Sequence, residues 1–117
     1  MSVNDDKARY YGLKTGRFSK SVSGTFTTTG DSEEIVLLGE FNVLISGGIA
    51  TVAVQRSFDG GTTWYTISQD SAGTPASYTT SGGVVFNGVV EEREARVKHR
   101  LSCTAYTSGT VTYRISQ

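Results

Sequence analysis

The stretch that decides the fold is Val97-Lys98-His99-Arg100-Leu101-Ser102-Cys103-Thr104-Ala105, followed by Tyr106-Thr107-Ser108-Gly109-Thr110 and then Val111-Thr112-Tyr113-Arg114-Ile115-Ser116. Val97, His99, Leu101, Cys103 and Ala105 fall on one side of a period of two, and Arg96, Lys98, Arg100, Ser102 and Thr104 on the other. After the turn signal Thr107-Ser108-Gly109, Val111, Tyr113 and Ile115 alternate with Thr112, Arg114 and Ser116. A period of two is the signature of a strand with one buried face, so this end of the chain predicts two consecutive strands.

The same text of strand, turn and strand runs back to residue 19. Ser21–Thr28 ends at Thr29-Gly30-Asp31-Ser32, and Ile35–Leu38 is a short apolar run. Phe41, Val43 and Ile45 alternate with polar neighbours, and Gly47-Gly48 then predicts a hairpin into Ile49–Phe58. Thr62–Ser68 follows the Asp59-Gly60-Gly61 turn, and Gln69–Pro75 reads as a polar loop. Ser77–Thr80 and Val84–Val90 are separated by Ser81-Gly82-Gly83, with Asn87-Gly88 as a bulge or break. Only Glu91–Ala95 offers a competing helical turn or a solvated connection. Seven or eight short antiparallel strands predict an all-β, two-sheet β-sandwich of jelly-roll-like form.

The composition fits one such domain. The chain has 117 residues, with 14 Gly, 16 Thr and 14 Ser against a single Pro, Cys, Met, Trp and His. A chain of this size buries roughly 60–70% of its unfolded surface without disulfides or a structural metal. Eleven basic residues balance eleven acidic ones, so no global field attracts a nucleic-acid backbone or an anionic membrane, and neither is expected as a partner. One cysteine forms no internal bridge, and no apolar run suggests a signal peptide or a membrane span. The chain is expected to stay in the cytoplasm where it is made, unless it leaves as part of an assembly.

Neutrality conceals a split. Residues 1–20 carry Lys7, Arg9, Lys14, Arg17 and Lys20 against Asp5 and Asp6, a net of +3, and residues 21–117 carry a net of −3. The predicted organisation is therefore a basic N-terminal arm, 1–20, on an acidic β-sandwich domain, 21–117. Tyr10, Tyr11, Leu13 and Phe18 give the arm apolar points without strand or helix periodicity, which suits a segment that orders on a partner. Extended, it reaches roughly 65–70 Å.

Groups able to carry chemistry are few. His99 lies on the apolar face of its strand and reads as a buried, hydrogen-bonded core histidine, and Cys103, with Leu101 between them on that face, reads as a small core residue. The pairs Asp5-Asp6, Glu33-Glu34 and Glu91-Glu92 are adjacent in sequence, so strand geometry sends their carboxylates apart, and they read as solvated charges. A calcium loop at Asp70–Thr74 would rest on one Asp. No catalytic residue, cofactor or metal site is expected, and the chain does not read as an enzyme.

The most informative local pattern is Ser57-Phe58-Asp59-Gly60-Gly61-Thr62-Thr63-Trp64. It resembles the Asp-box hairpin of sialidase-like propellers and assorted secreted β proteins. Asp59 can accept backbone hydrogen bonds within the turn, Gly60 and Gly61 allow positive φ, and Trp64 packs where the return strand begins. Ser57, Asp59, Gly61 and Trp64 are thus expected to be a structural staple. One copy cannot build a propeller. Trp64, Tyr65, Tyr78, Tyr106 and Tyr113 are candidate sugar-stacking platforms, the alternative being interior and cross-strand packing.

Gly39–Ile45, Val52–Trp64 and Arg100–Gln117, taken in order, resemble small virion-associated β proteins of tailed bacteriophages. The resemblance implies a structural virion protein, foremost a capsid decoration (cement) protein that binds the major capsid protein or another virion protein as a homo-oligomer, a dimer or trimer. A tail or neck component is the first alternative and a carbohydrate-binding β-sandwich module the second. On the first reading Lys7, Arg9, Arg17 and Lys20 pair with acidic patches such as Glu33, Glu34, Glu91 and Glu92 of a neighbour, with Tyr10, Tyr11 and Phe18 as anchors. A chain ending inside a strand at Gln117 is expected to need a partner edge.

Overall fold

A computed structural model describes residues 20–117. Ten strands follow in chain order: β1 (Ser21–Phe26), β2 (Gly30–Asp31), β3 (Ile35–Val36), β4 (Gly39–Ser46), β5 (Ile49–Ser57), β6 (Tyr65–Thr66), β7 (Ser77–Thr79), β8 (Val84–Glu92), β9 (Lys98–Ser108) and β10 (Val111–Ser116). They form two antiparallel sheets packed face to face. The first has the order β1-β10-β4-β8, and the second places β9 and β5 at its centre, with β2 and β3 along the outside of β9 and β6 and β7 along the outside of β5.

The ten segments occupy eight strand positions, because two positions are interrupted. Between β2 and β3 the Ser32 amide donates to the Leu101 carbonyl at 2.8 Å, and Ser32 Oγ accepts from the Leu101 amide at 2.9 Å. The side chain thus stands in for a backbone acceptor, and the ladder is bridged where the strand breaks. Between β6 and β7 the chain makes an excursion closed by the Ser68–Pro75 bridge. The Ile67 amide donates to the Val54 carbonyl, and the Val54 amide to the Ala76 carbonyl, so β5 stays paired across it. With each broken strand counted once, every connection except β5 to β6 passes from one sheet to the other, the winding of a jelly roll.

That winding changes the meaning of the glycine turns. Gly47-Gly48 and Ser108-Gly109 do not close hairpins: β4 and β10 lie in one sheet, β5 and β9 in the other. Together with Ser81–Gly83 they are arches across one end of the sandwich, laced by Gly47 N–H to Gly83 O at 3.0 Å and Gly82 N–H to Gly48 O at 2.8 Å. The alternation on either side marks which faces are buried, but two inward faces can meet across the core as well as side by side. The arches are tight as well as left-handed. A Cβ on Gly47, at φ +84°, would lie 2.7 Å from the Thr110 carbonyl oxygen, and one on Gly109, at φ +81°, 3.0 Å from Gly48 Cα. Fully buried Thr80 completes the corner, accepting from the Ala50 amide at 2.9 Å and donating to the Gly48 carbonyl at 3.0 Å.

The core lies between the sheets. Phe41, Val43 and Ile45 of β4 with Val111 and Ile115 of β10 meet Val52 and Val54 of β5 and Leu101 and Cys103 of β9. Each fully buried aliphatic or aromatic side chain contributes about 1.5–3 kcal/mol. The alternation in β9 holds from His99 to Cys103 and then slips. Thr51 pairs Ala105 while Val52 pairs Cys103, leaving Thr104 unmatched. This bulge turns Ala105 outward, and Tyr106 packs against the core in its place.

Two further expectations are corrected. Glu91 and Glu92 belong to β8, and the described residues contain no helix. The C-terminal strand needs no outside edge, because β10 is flanked by β1 and β4, and Lys20 and Gln117 exchange backbone hydrogen bonds of 3.0 and 2.8 Å beyond its end.

Candidate functional site

In the first sheet β8 is an edge strand, and in the second β6 and β7 form an edge. Where these edges face each other a cleft of about 680 Å³ opens into the sandwich. Tyr78 from β7 and Phe86 from β8 stack across it, with ring centroids 4.7 Å apart and planes at 19°. Phe58 and Tyr65, about half exposed, stand at the rim, with the Arg56 guanidinium 4.7 Å above the Phe58 ring.

The floor of the cleft is ionic. Period two carries the inward face of β8 from Phe86 through Gly88 and Val90 to Glu92, and that of β5 from Val52 through Val54 to Arg56. Both meet His99, on the inward face of β9. Arg56 Nη1 donates to Glu92 Oε1 at 2.9 Å and Oε2 at 3.1 Å, and the Glu94 amide donates to Oε2 at 3.0 Å. His99 Nε2 lies 3.0 Å from Oε1. Glu92 and His99 are 2% and 1% exposed, whereas Arg56 keeps 35% of its surface in water.

Burial alone would raise the Glu92 carboxyl, but the Glu94 amide, His99 and Arg56 outweigh it and hold the group below the ordinary carboxylate value. For His99 burial dominates and pushes the imidazole down, against the opposing pull of Glu92. The arrangement is therefore an ionised carboxylate accepting from Nε2–H of a neutral ring. Among the described residues Nδ1 has no hydrogen-bond partner. A carboxylate-oriented imidazole is one half of a general-base pair, and among the described residues no nucleophile is bonded to it. The Cys103 thiol is buried, burial raises its pKa, and it is directed to the Ala105 carbonyl at 3.4 Å. Among the described residues no three metal-ligating side chains converge.

Glu92 corrects the expectation that the Glu91-Glu92 pair is solvated. Its inward position follows from continuing the β8 alternation two residues past Val90, a signal hidden by the habit of ending strands at charges. Of the four acidic residues expected to meet a neighbour's arm, Glu92 alone is sealed in; Glu33, Glu34 and Glu91 are exposed, Glu34 beside Lys98 at 3.1 Å and Glu91 beside Arg93 at 3.3 Å.

Of the arm residues, Lys7, Arg9, Tyr10, Tyr11, Arg17 and Phe18 lie outside the described residues. Lys20 is exposed at the foot of β1, and its Nζ donates to the Val36 carbonyl at 3.0 Å.

Ser57, Asp59, Gly61 and Trp64 come together in the turn after β5. Ser57 Oγ donates to Asp59 Oδ1 at 2.7 Å and accepts from the Gly61 amide at 2.9 Å. Asp59 Oδ1 also accepts from the Thr62 and Thr63 amides, at 3.1 and 2.8 Å. The Thr63 amide, then the Ser57 hydroxyl, holds the carboxyl far below the ordinary range. Trp64 Nε1 donates to the Gly61 carbonyl at 2.9 Å, and the Arg100 guanidinium covers the indole at 4.2 Å. Trp64 is thus occupied as a platform, and Tyr113, 8% exposed, stacks on Phe26. The Tyr106 hydroxyl donates to the Gly109 carbonyl. Tyr65 and Tyr78 alone of the five candidate aromatics line the cleft. Asp70 Oδ1 accepts from the Ala72 and Thr74 amides at 3.0 and 3.1 Å, a self-contained turn.

No protein-family model, curated protein or solved structure matches the chain.

Proposed function

We propose that the chain is a structural component of a virus particle, a decoration protein of the tailed-phage kind. On this reading a homo-oligomer, dimer or trimer, fastens to the major capsid protein or to another virion protein and stabilises the shell. The observation that carries it is the outer face of the first sheet. Ser21, Ser23 and Thr25 of β1, Thr112 of β10, Asn42 of β4 and Asn87 of β8 are exposed there side by side. Such a face offers many weak hydrogen bonds to a surface of repeating subunits, and repetition on a lattice converts weak contacts into firm attachment. Arg56, Glu92 and His99 beneath the cleft tie three strands together, which suits a protein whose work is adhesion.

Quantitative mass spectrometry of purified particles of the phage that encodes the chain tests this reading. A copy number comparable with that of the major capsid protein is expected. A handful of copies per particle favours the tail or neck component, and absence from particles overturns both.

The cleft favours one second reading, a carbohydrate-binding module, because half-exposed Tyr65 lines it together with Gln69, whose amide oxygen accepts from the Tyr78 hydroxyl at 2.9 Å. Glycan binding abolished by Tyr65→Ala, with no affinity for particles, would establish it instead.

A further inference from the structure

A two-sheet sandwich has four edges, and this one blunts three of them. Along β9, β2 and β3 are two residues each and are broken at Ser32; along β5, β6 and β7 are two and three residues long. β1 is longer, but its outer face is the polar row Ser21, Ser23 and Thr25. β8 is the exception. It runs nine residues, one side of its backbone ladder faces no strand among the described residues, and Val84 and Val89 are 67% and 58% exposed. A long, apolar, unblunted edge is a template for another strand.

This edge is complementary to itself. Its pairing with β4 is regular from Phe86, opposite Ile45, to Glu92, opposite Gly39, and shifts register only between Ile45 and Ser46. Val89 is the middle residue of that run. A two-fold axis through Val89 lays a second β8 antiparallel to the first, each residue opposite the one equally far on the other side of Val89. On the outer face Val89 then covers Val89, and Asn87 meets Glu91 on either side. Arg93 holds Glu91 through Oε1, and Oε2 has no partner among the described residues, so it can accept from the Asn87 side-chain amide. On the inner face Val90 comes beside Gly88, which has no side chain to crowd it, and Phe86 beside Glu92, whose carboxylate is taken up by Arg56 and His99. A parallel pairing in register would instead set Glu91 on Glu91, with Glu40 already opposite.

We propose that the chain forms a two-fold dimer in which β8 pairs with β8 of a second copy, antiparallel and centred on Val89, joining the two four-stranded sheets into one. Both β8 edges are consumed, so association stops at two, whereas a head-to-tail contact of β8 with β1 would propagate. A single strand pair buries less than the roughly 1,000 Å² of a permanent interface, so the dimer is a weak, reversible one. It rests on the homo-oligomer reading above and gives that oligomer its symmetry; because it concerns the free chain, its failure and absence of the chain from particles are separate results.

Disulfide capture in the full chain tests it. Val89→Cys sets two thiols across the axis on Cα atoms about 4.5–5.5 Å apart, within disulfide reach. Asn87→Cys and Glu91→Cys set theirs four residues, or about 13 Å, apart along the strands. On air oxidation Val89→Cys is expected to form a covalent dimer at least about tenfold faster than either, and the wild type, whose Cys103 is buried, to form none. Sedimentation equilibrium of the reduced wild type, taken to millimolar concentration, is expected to show a mass rising toward twice that of the chain and no further. Val89→Lys, at an exposed site, is expected to stay monomeric with unchanged β circular dichroism. A wild type that stays monomeric throughout overturns the proposal, and so does equal cross-linking at the three positions. Masses that grow past the dimer assign the edge to β1 of the next copy, and a dimer untouched by Val89→Lys assigns the contact to another face; either overturns it.

Discussion

His99 Nε2 lies 3.0 Å from Glu92 Oε1, and this contact joins the last residue of β8 in one sheet to a central strand of the other. With Arg56 of β5 on the same carboxylate, three strands from two sheets meet on one charge. The connection from β8 to β9, through Arg96 at φ +67°, is thereby pinned at both ends.

Removing that carboxylate should be costly. Glu92→Ala leaves His99 Nε2–H without an acceptor in the interior and Arg56 without its counterion, and is expected to destabilise the fold by about 3 kcal/mol, toward the low end for a broken buried pair because Arg56 stays partly hydrated. Glu92→Gln keeps an acceptor oxygen and the volume, and should lose about 1–2 kcal/mol. Urea denaturation midpoints at neutral pH check both. A Glu92→Ala loss below about 1 kcal/mol would mean that the cluster adds nothing net.

The same pair sets an acid limit. The folded state lowers the pKa of His99 from its ordinary 6.5, so above that value neither state binds the proton. Below it the unfolded chain takes up a proton that the native ring refuses, and stability falls with pH by up to about 1.4 kcal/mol per unit. Glu92 is held below its ordinary 4.5, so its contribution, present above that value, is lost on further acidification. Wild-type stability should be level from about pH 7 to about pH 8, decline below about pH 6, and decline again in alkali, where the buried Cys103 thiol and the Tyr78 and Tyr113 hydroxyls resist ionisation. His99→Gln should abolish the upper part of the acid decline and leave the lower part. As His99 is the only histidine, an unchanged upper slope would refute the assignment.

Trp64, the only tryptophan, reports on the turn after β5. Asp59→Ala removes the acceptor shared by the Thr62 and Thr63 amides and the Ser57 hydroxyl. The indole should then leave Arg100, with red-shifted fluorescence and stronger acrylamide quenching. Asp59→Asn, which retains Oδ1, should shift the spectrum less. Equal spectra for Asp59→Ala and wild type would show that the packing of Trp64 alone holds the turn.

The arches can be tested through two glycines of similar φ, Gly47 at +84° and Gly60 at +79°. Gly60→Ala meets nothing within 4 Å, so only backbone strain of about 1 kcal/mol is expected. Gly47→Ala adds a clash with the Thr110 carbonyl oxygen, which belongs to a second arch and cannot swing away, and should cost about 2–4 kcal/mol. Thermal or urea unfolding of the two variants side by side decides it, and equal losses would rule out the steric component.

Much of the core was legible from period two. Phe41, Val43 and Ile45, Val52 and Val54, and Val97, His99 and Leu101 are all buried where alternation puts them. Alternation failed at Ala105, because an unmatched Thr104 reverses the faces beyond it, and a bulge is a property of two strands together. The cleft was not legible. It is built from an arginine and a glutamate 36 residues apart and a histidine from a third strand, and charge at a strand end suggested solvent.

The sequence alone determined that the chain is all-β, where most strands begin and end, and which side of each is apolar, because those properties depend on neighbours one and two residues apart. Only the tertiary structure decided which strands pair. Gly47-Gly48 serves a hairpin or an arch equally well, and the arch is settled by partners distant in sequence: β10 and β8 occupy the two edges of β4, and β9 with β6 and β7 those of β5. The same choice carried Glu92, Arg56 and His99 to one point, where hydrogen bonds keep the buried Glu92 carboxylate ionised and burial keeps the His99 ring neutral.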